Sequence, residues 1–393
     1  MTGSNDRLRI GFIPLADAAA LIVAVDRGFA AAEGLDIELV REVSWSNVRD
    51  KLNIGLFDAA HLLAPVAIAS TLGIGHVKVP LISPYILNLN GNAITVSPAL
   101  HATLIAVGGD EGIASPAASA RALAHVVASR KARGDDPLTF GMTFPFSTHN
   151  YQLRFWMAAG GIDPDEDVRL VVLPPPFMVE SLANGHVDGF CVGAPWNSVA
   201  VDLGVGVILH FVSDLLARAA EKLLALRLEW AEANDALVLR LVRAHACAAA
   251  FIEKPANWDE VAAILAAPGR IGVPADVIKR TFAGRLKVTP GGTVRESDRY
   301  LMVHRKGAAR PDPVQAAWAY AQMVRWGQTP LSTELLARAQ SVMRPDIFDA
   351  AVPGYLHCDA GEPADGIGAF AGPAFSPQDI SGHLRAWTIG RFR

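Results

Sequence analysis

Cysteine is scarce in this chain: Cys191, Cys247 and Cys358 are the only three in 393 residues. An odd number, so widely spaced, argues against a disulfide framework and against a CxxC metal site, so each is expected to be a small buried apolar residue. Charge of one sign is also missing. Lys and Arg number 35 against 39 Asp and Glu, a net −4 with pI near 6.3, which offers no basic field for phosphates and excludes direct nucleic-acid binding as an expectation. Long apolar runs are lacking too. Near the start the longest is Ala18 to Val25, eight residues, far short of the ~20 that a membrane helix needs. The amino terminus, MTGSNDRLRIGFIPLAD, has no basic region followed by a long apolar segment and a cleavage site, so no export signal is expected.

Enzyme machinery is equally thin. The chain contains no GxSxG, P-loop or HExxH motif and no GxGxxG after the first strand. The pairs Gly108–Gly109 and Gly291–Gly292 stand alone and read as turns. His61, His149, His186 and His245 are far apart, and only His186 has a close carboxylate, Asp188, with no third ligand nearby. Neither a metal nor a cofactor is expected, and catalysis is not either.

What is abundant is core material: 51% of residues are hydrophobic, with mean hydropathy +0.27. Arg7 to Leu15 reads as a strand, followed by Asp17 as a helix cap and AAALIVAVDRGF as a helix. LDIELVREV, KVPLISPYIL, NAITVSP, LTFGMTF, VRLVVLPPP and GVILHFV read as further strands. SNVRDKLNIGL, with Ser46 at its start, and SARALAHVVASRKARG read as helices between them. Strands alternating with helices predict mostly parallel, helix-covered sheets. The unit from about Ser97 to Cys191 is framed by LNLNGNAITV and GFCVGAPWN, so the chain leaves one lobe once and returns once. The division expected is 1–93 and 194–306 for one α/β lobe, 94–193 for the other, and 307–393 for a helical C-terminal extension and tail. A ligand cleft lies between the lobes.

Polar residues embedded in the apolar junction loops are the site candidates. Each has an ordinary reading: Trp45 as a core aromatic, Asn92 after Gly91 as a turn residue, His149 as a capping or core histidine, Lys222 in ARAAEKLLALRLEW as a solvated helix residue. Together with their surroundings they say more. SWSNVRDKLNIGLFDAAHLLAP, LNLNGNAITV, TFPFSTHNYQLRFWMAAGGIDPDEDVRLVVLPPPFMV and DGFCVGAPWN resemble the nitrate- and bicarbonate-binding proteins of the NrtA/CmpA family. The similarity runs from about Ile10 to Gly327 and includes RWG at Arg325 to Gly327. The resemblance implies a type II periplasmic-binding fold with Trp45, Asn92, His149, Pro175, Val192 and Lys222 lining the pocket. It implies Asn92 where nitrate binders carry glutamine, a lysine that bicarbonate binders lack, and Ala194 in VGAPWN where a carboxylate would stand.

Nitrate has acceptor oxygens and no donor, so its site needs N–H donors and positive charge, which Lys222, His149 and Asn92 supply, while Trp45, Pro175 and Val192 exclude water. Nitrite has the same character. Two functional classes follow. One is a cytoplasmic nitrate or nitrite sensor resembling NasS, which controls a NasT-like RNA-binding antiterminator. The other is the substrate-binding component of an ABC transporter, with a permease as partner and a periplasmic location if a leader has been removed. The starting Met and the lack of a leader favour the sensor. An enzyme resembling the pyrimidine-precursor synthases would need a cysteine-rich motif, and Cys191 stands alone.

Overall fold

The structure, a computed structural model, describes residues 6–109, 111–355 and 362–392. The strands in chain order are β1 Asp6–Phe12, β2 Leu35–Arg41, β3 Ala59–Leu63, β4 Leu81–Ile82, β5 Ile86–Asn90, β6 Asn92–Val96 and β7 Thr139–Met142. They continue as β8 Arg169–Val172, β9 Gly189–Gly193, β10 Val207–Phe211, β11 Ala220–Arg227, β12 Arg285–Lys287, β13 Val294–Glu296 and β14 Leu301–Met302. One sheet has the order β14-β5-β11-β3-β1-β2 with β4 beside β11; a second has the order β10-β6-β9-β7-β8; β12 and β13 form a hairpin.

Both sheets are mixed, not mostly parallel. β1 runs parallel to β2 and β3, and β7 runs parallel to β8 and β9, because helices carry the chain back between them. The strands next to the crossings, β5, β6, β10 and β11, pair antiparallel. Of these, β6 and β11 enter directly from the other sheet, without a returning α-helix.

The first crossing is a single tight turn. Asn90 (φ 60°) and Gly91 (φ 92°) occupy the left-handed region, which asparagine and glycine tolerate. Asn90 is pinned there by its own side chain, which donates to the Ala217 and Arg299 carbonyls and accepts from the Ala219 amide. Asn92 itself is therefore a strand residue and not part of the turn. The return crossing lies between Phe211 and Ala220, because β10 pairs with β6. The expected division at 193/194 came too early, since a strand's sheet is decided by a partner that its local pattern does not name.

Local chemistry sets the helices that matter for the site. Ser44, not Ser46, caps Trp45–Asn53 by accepting from the Asn47 amide, and Ser147 caps Thr148–Ala159 by accepting from the Asn150 amide. Asp17 lies in a short 3-10 turn, Ala16–Ala18, and its side chain caps nothing. After β14 the helix Pro313–Arg325 packs on the first lobe's helix Ala64–Leu72. The tail beyond it buries Ile367, Phe375, Ile380 and Leu384, so it completes the core. Cys191 is buried as expected; Cys247 is exposed on a helix face; Cys358 lies outside the described residues. Among the described residues no helix is long and apolar enough to cross a membrane.

Candidate functional site

The site forms where β11 passes the crossing. Ala220 to Leu226 are all buried between β3 and β5. Lys222 is thus a strand residue and not a solvated helix residue. In a regular strand Glu221 and Lys222 would point to opposite faces. The β11–β5 register shifts on both sides of Lys222, and this irregularity lets the two side chains meet, Lys222 Nζ donating to Glu221 Oε1 at 2.8 Å.

On the first-lobe side Lys222 Nζ also lies 2.9 Å from Asp17 Oδ2. The other Asp17 oxygen is 2.8 Å from His61 Nε2 on β3, while His61 Nδ1 accepts from the Ile13 amide at 3.4 Å. That pair fixes the tautomer with the proton on Nε2. The Trp45 ring packs against His61, centroids 5.3 Å apart, and lies 5.4 Å from Lys222 Nζ as a cation–π partner.

On the second-lobe side everything converges on Glu221. Asn92 Nδ2, at the start of β6, donates to Glu221 Oε2 at 2.7 Å and to Gln152 Oε1 at 3.0 Å. Thr148 Oγ1 donates to the same Glu221 oxygen. His149 Nδ1 stands 3.4 Å from Glu221 Oε1 and 3.0 Å from Thr143 Oγ1. Glu221, Lys222, Asn92, Gln152, His149 and His61 are all 0% exposed, so any exchange with solvent requires the lobes to part.

Of the six residues expected from sequence, Trp45, Asn92, His149 and Lys222 come together in this cluster. Pro175 is buried at the start of the 3-10 turn Pro175–Phe177 after β8. Val192 sits opposite Ala93 in the β6–β9 ladder and packs with Met178, Val179 and Phe190 in an apolar cluster. The neighbour on the other face, Gly193, backs onto the polar cluster: a Cβ there would lie 3.3 Å from Asp17 Oδ2 and 3.4 Å from Asn92 Oδ1.

The electrostatics differ from a simple donor pocket. Burial pushes the Asp17 carboxyl up, but Lys222 and the His61 hydrogen bond outweigh it and hold it at about 2. Burial acts the same way on Glu221 and is outweighed by His149 in its protonated form, by Lys222 and by the Thr148 hydrogen bond, leaving it below the usual carboxylate range. Burial pulls Lys222 down, and the two carboxylates more than compensate, raising it. Burial pulls both imidazoles down, His149 to about 4, against the opposing pull of nearby carboxylates. At neutral pH two carboxylates therefore face one ammonium and two neutral imidazoles, one negative charge in excess. The expectation of a purely donating pocket is corrected here: acceptors lost at Ala194 are supplied by Asp17 and Glu221. In this cluster Trp45 Nε1, His149 Nε2, Gln152 Nε2 and Asn92 Oδ1 have no hydrogen-bond partner among the described residues. Such atoms are costly unless something meets them.

Glu221, Thr148 and Gln152 escaped the sequence reading, His61 entered it only among the scattered histidines, and Asp17 only as a cap. The signal for two of them was adjacency. Glu221 abuts Lys222 at the head of the apolar run LLAL, and Thr148 precedes His149.

A family model described as the NMT1-like family matches residues 2–266. The chain belongs to the NMT1-like family. The chain is 32% identical over 386 residues to the nitrate/nitrite binding protein NrtA of Synechococcus elongatus, across 95% of this chain and 84% of that protein. It is 32% identical over 389 residues to the nitrate import ATP-binding protein NrtC of Synechocystis, across 98% of this chain. It spans only 55% of that protein, about half the length of this relative. The crystal structure of the periplasmic nitrate-binding protein NrtA from Synechocystis superposes with a TM-score of 0.85 at 28% identity, covering 98% of both chains. The fold of this NMT1-like chain is accordingly the periplasmic-binding-protein α/β fold, and its likeness to NrtA extends past Gly327 through the tail.

Proposed function

We propose that this protein binds a small planar oxyanion, nitrate or nitrite, between its lobes and serves as the substrate-binding component of an ABC import system. The observation that carries the reading is the buried interlobe cluster. Lys222 stands between the lobes, and Trp45 Nε1, His149 Nε2 and Gln152 Nε2 are unsatisfied beside it, a nitrogen set suited to acceptor oxygens. NrtC is a nitrate import protein by name and the NrtA of the solved structure a periplasmic nitrate-binding protein, which favours transport over the cytoplasmic sensor with its antiterminator partner. In this reading the partner is a permease and the protein works outside the cytoplasmic membrane. Pro175 and Val192 serve as apolar walls behind the polar groups.

Calorimetry with nitrate, nitrite and bicarbonate, the last with and without calcium, tests the ligand class. Binding of nitrate or nitrite, lost in Lys222→Ala, is the expected result. Tighter binding of bicarbonate with calcium would overturn the assignment. Co-purification with a small RNA-binding regulator that nitrate releases would restore the sensor reading.

A further inference from the structure

We propose that Glu221 acts as a built-in anion that occupies the oxyanion's donors, so that nitrate or nitrite displaces it and enters together with a proton taken up by the Glu221–His149 pair. The inference rests on the oxyanion reading above and adds to it the residue that sets affinity and its dependence on pH.

The geometry is that of a bound oxyanion. One Glu221 oxygen accepts from Asn92 and Thr148, and the other accepts from Lys222 and faces His149 Nδ1. These are donors from β11, β6 and the helix Thr148–Ala159, on both sides of the crossing. A carboxylate held this way competes with an incoming anion for the same hydrogens.

Charge gives the second half. The groups facing Glu221 are Lys222 on its own strand, Asp17 from the 3-10 turn, His61 from β3 and His149 from the helix; Cys191 of β9 and Tyr300 lie behind, kept neutral by burial. That set already holds one excess negative charge. A second buried anion without compensation costs several kcal/mol. The uptake of one proton restores the balance, and Glu221 and His149, 3.4 Å apart, share it as one coupled unit. The protonated pair then donates to the ligand or to Thr143 instead of holding Lys222.

The test is calorimetry of nitrate and nitrite binding to the full chain in buffers of different ionisation enthalpy, between about pH 7 and about pH 8. The expected result is uptake of about one proton per anion, with affinity falling toward tenfold for each rise of one pH unit. Glu221→Gln is neutral but keeps the shape, so it should bind at least tenfold tighter, about 1.4 kcal/mol, with uptake near zero. Anion binding to the wild type without proton uptake and flat in pH would overturn the proposal while leaving the oxyanion reading intact, whether or not Glu221→Gln folds. Absence of any nitrate or nitrite binding down to about pH 5 would sink both.

Discussion

Among the described residues two cations are sealed inside, Lys222 at 0% exposure and Arg325 at 1%, and their surroundings differ. Lys222 is held by two carboxylates, Asp17 and Glu221, and is raised as a result. Among the described residues no carboxylate pairs with Arg325. Its Nε and Nη2 donate to the Ile389 carbonyl at 3.1 Å, and its guanidinium lies 4.1 Å from the Trp387 ring centroid and 4.8 Å from that of Trp326. Burial alone pulls it down to about 9. Guanidinium tolerates this because it is weakly hydrated and stacks on rings, whereas an ammonium is a compact, strongly hydrated charge. The contrast separates a site from a fastening. Carboxylates can be protonated or displaced, so the balance around Lys222 can change with its occupant. Carbonyls and rings cannot, so Arg325 ties the tail permanently to the helix Pro313–Arg325 and, through Trp387 on Phe155, to the helix that carries His149.

The largest expected effect comes from breaking the first balance. Lys222→Met strands two buried carboxylates, so denaturant unfolding should show a loss of about 4 kcal/mol, alongside loss of anion binding. A loss under about 1 kcal/mol would mean that the carboxylates do not rely on the ammonium. Arg325→Ala should cost somewhat less, about 3 kcal/mol, by removing ring stacking and two hydrogen bonds without orphaning a charge. Proteolysis should then nick the tail first. Anion affinity in that variant should stay within about threefold, since Arg325 touches none of the cluster; a larger change would show that the fastening and the site are coupled.

How much of this was readable beforehand follows the same divide. The lobes, the crossing at LNLNGNAITV and four of the cluster residues were legible, because strands, turns and family motifs are local in the chain. Lys222 was read onto a helix, since a strand buried on both faces shows no alternation and its apolar run looks helical. Asp17 was read as a cap, which a carboxylate before a helix usually is; its partners His61 and Lys222 lie 44 and 205 residues away. Glu221 has no signal of its own in a segment that reads as a solvated helix, and the register shift in β11 is what brings it to Lys222. The Arg325 clamp had no signal beyond RWG, since its partners sit in the last residues of the chain. Charge balance is a property of the assembled cluster, so the excess negative charge was invisible until Asp17 and Glu221 were both in place.

Acid should sharpen the contrast further. The His149 imidazole has its folded pKa pulled from 6.5 to about 4, so as pH falls the unfolded chain takes the proton first and stability is lost from about pH 6.5 down to about 4. His149→Gln should remove about 2 kcal/mol of the loss measured between pH 7 and about 4.5, while the Arg325 clamp, charged throughout that range, contributes no slope. An equal slope in the variant would mean that His149 is already charged in the folded protein.

The smallest effect is expected at the tail's outer tether. Arg391 forms a forked pair with Asp163 at 2.8 and 2.9 Å, and both side chains keep about a third of their surface in water. Solvent screens such a pair, and Asp165 remains nearby at 3.1 Å to take over part of it. Asp163→Asn should therefore cost no more than about 1 kcal/mol, read as a melting shift of no more than about 2 °C, with the tail still protected from protease. If instead the tail came loose, the exposed ion pair and not the buried guanidinium would be what holds it, and the distinction between an exchangeable site and a permanent fastening would have to be redrawn with Arg325 as a second switchable charge.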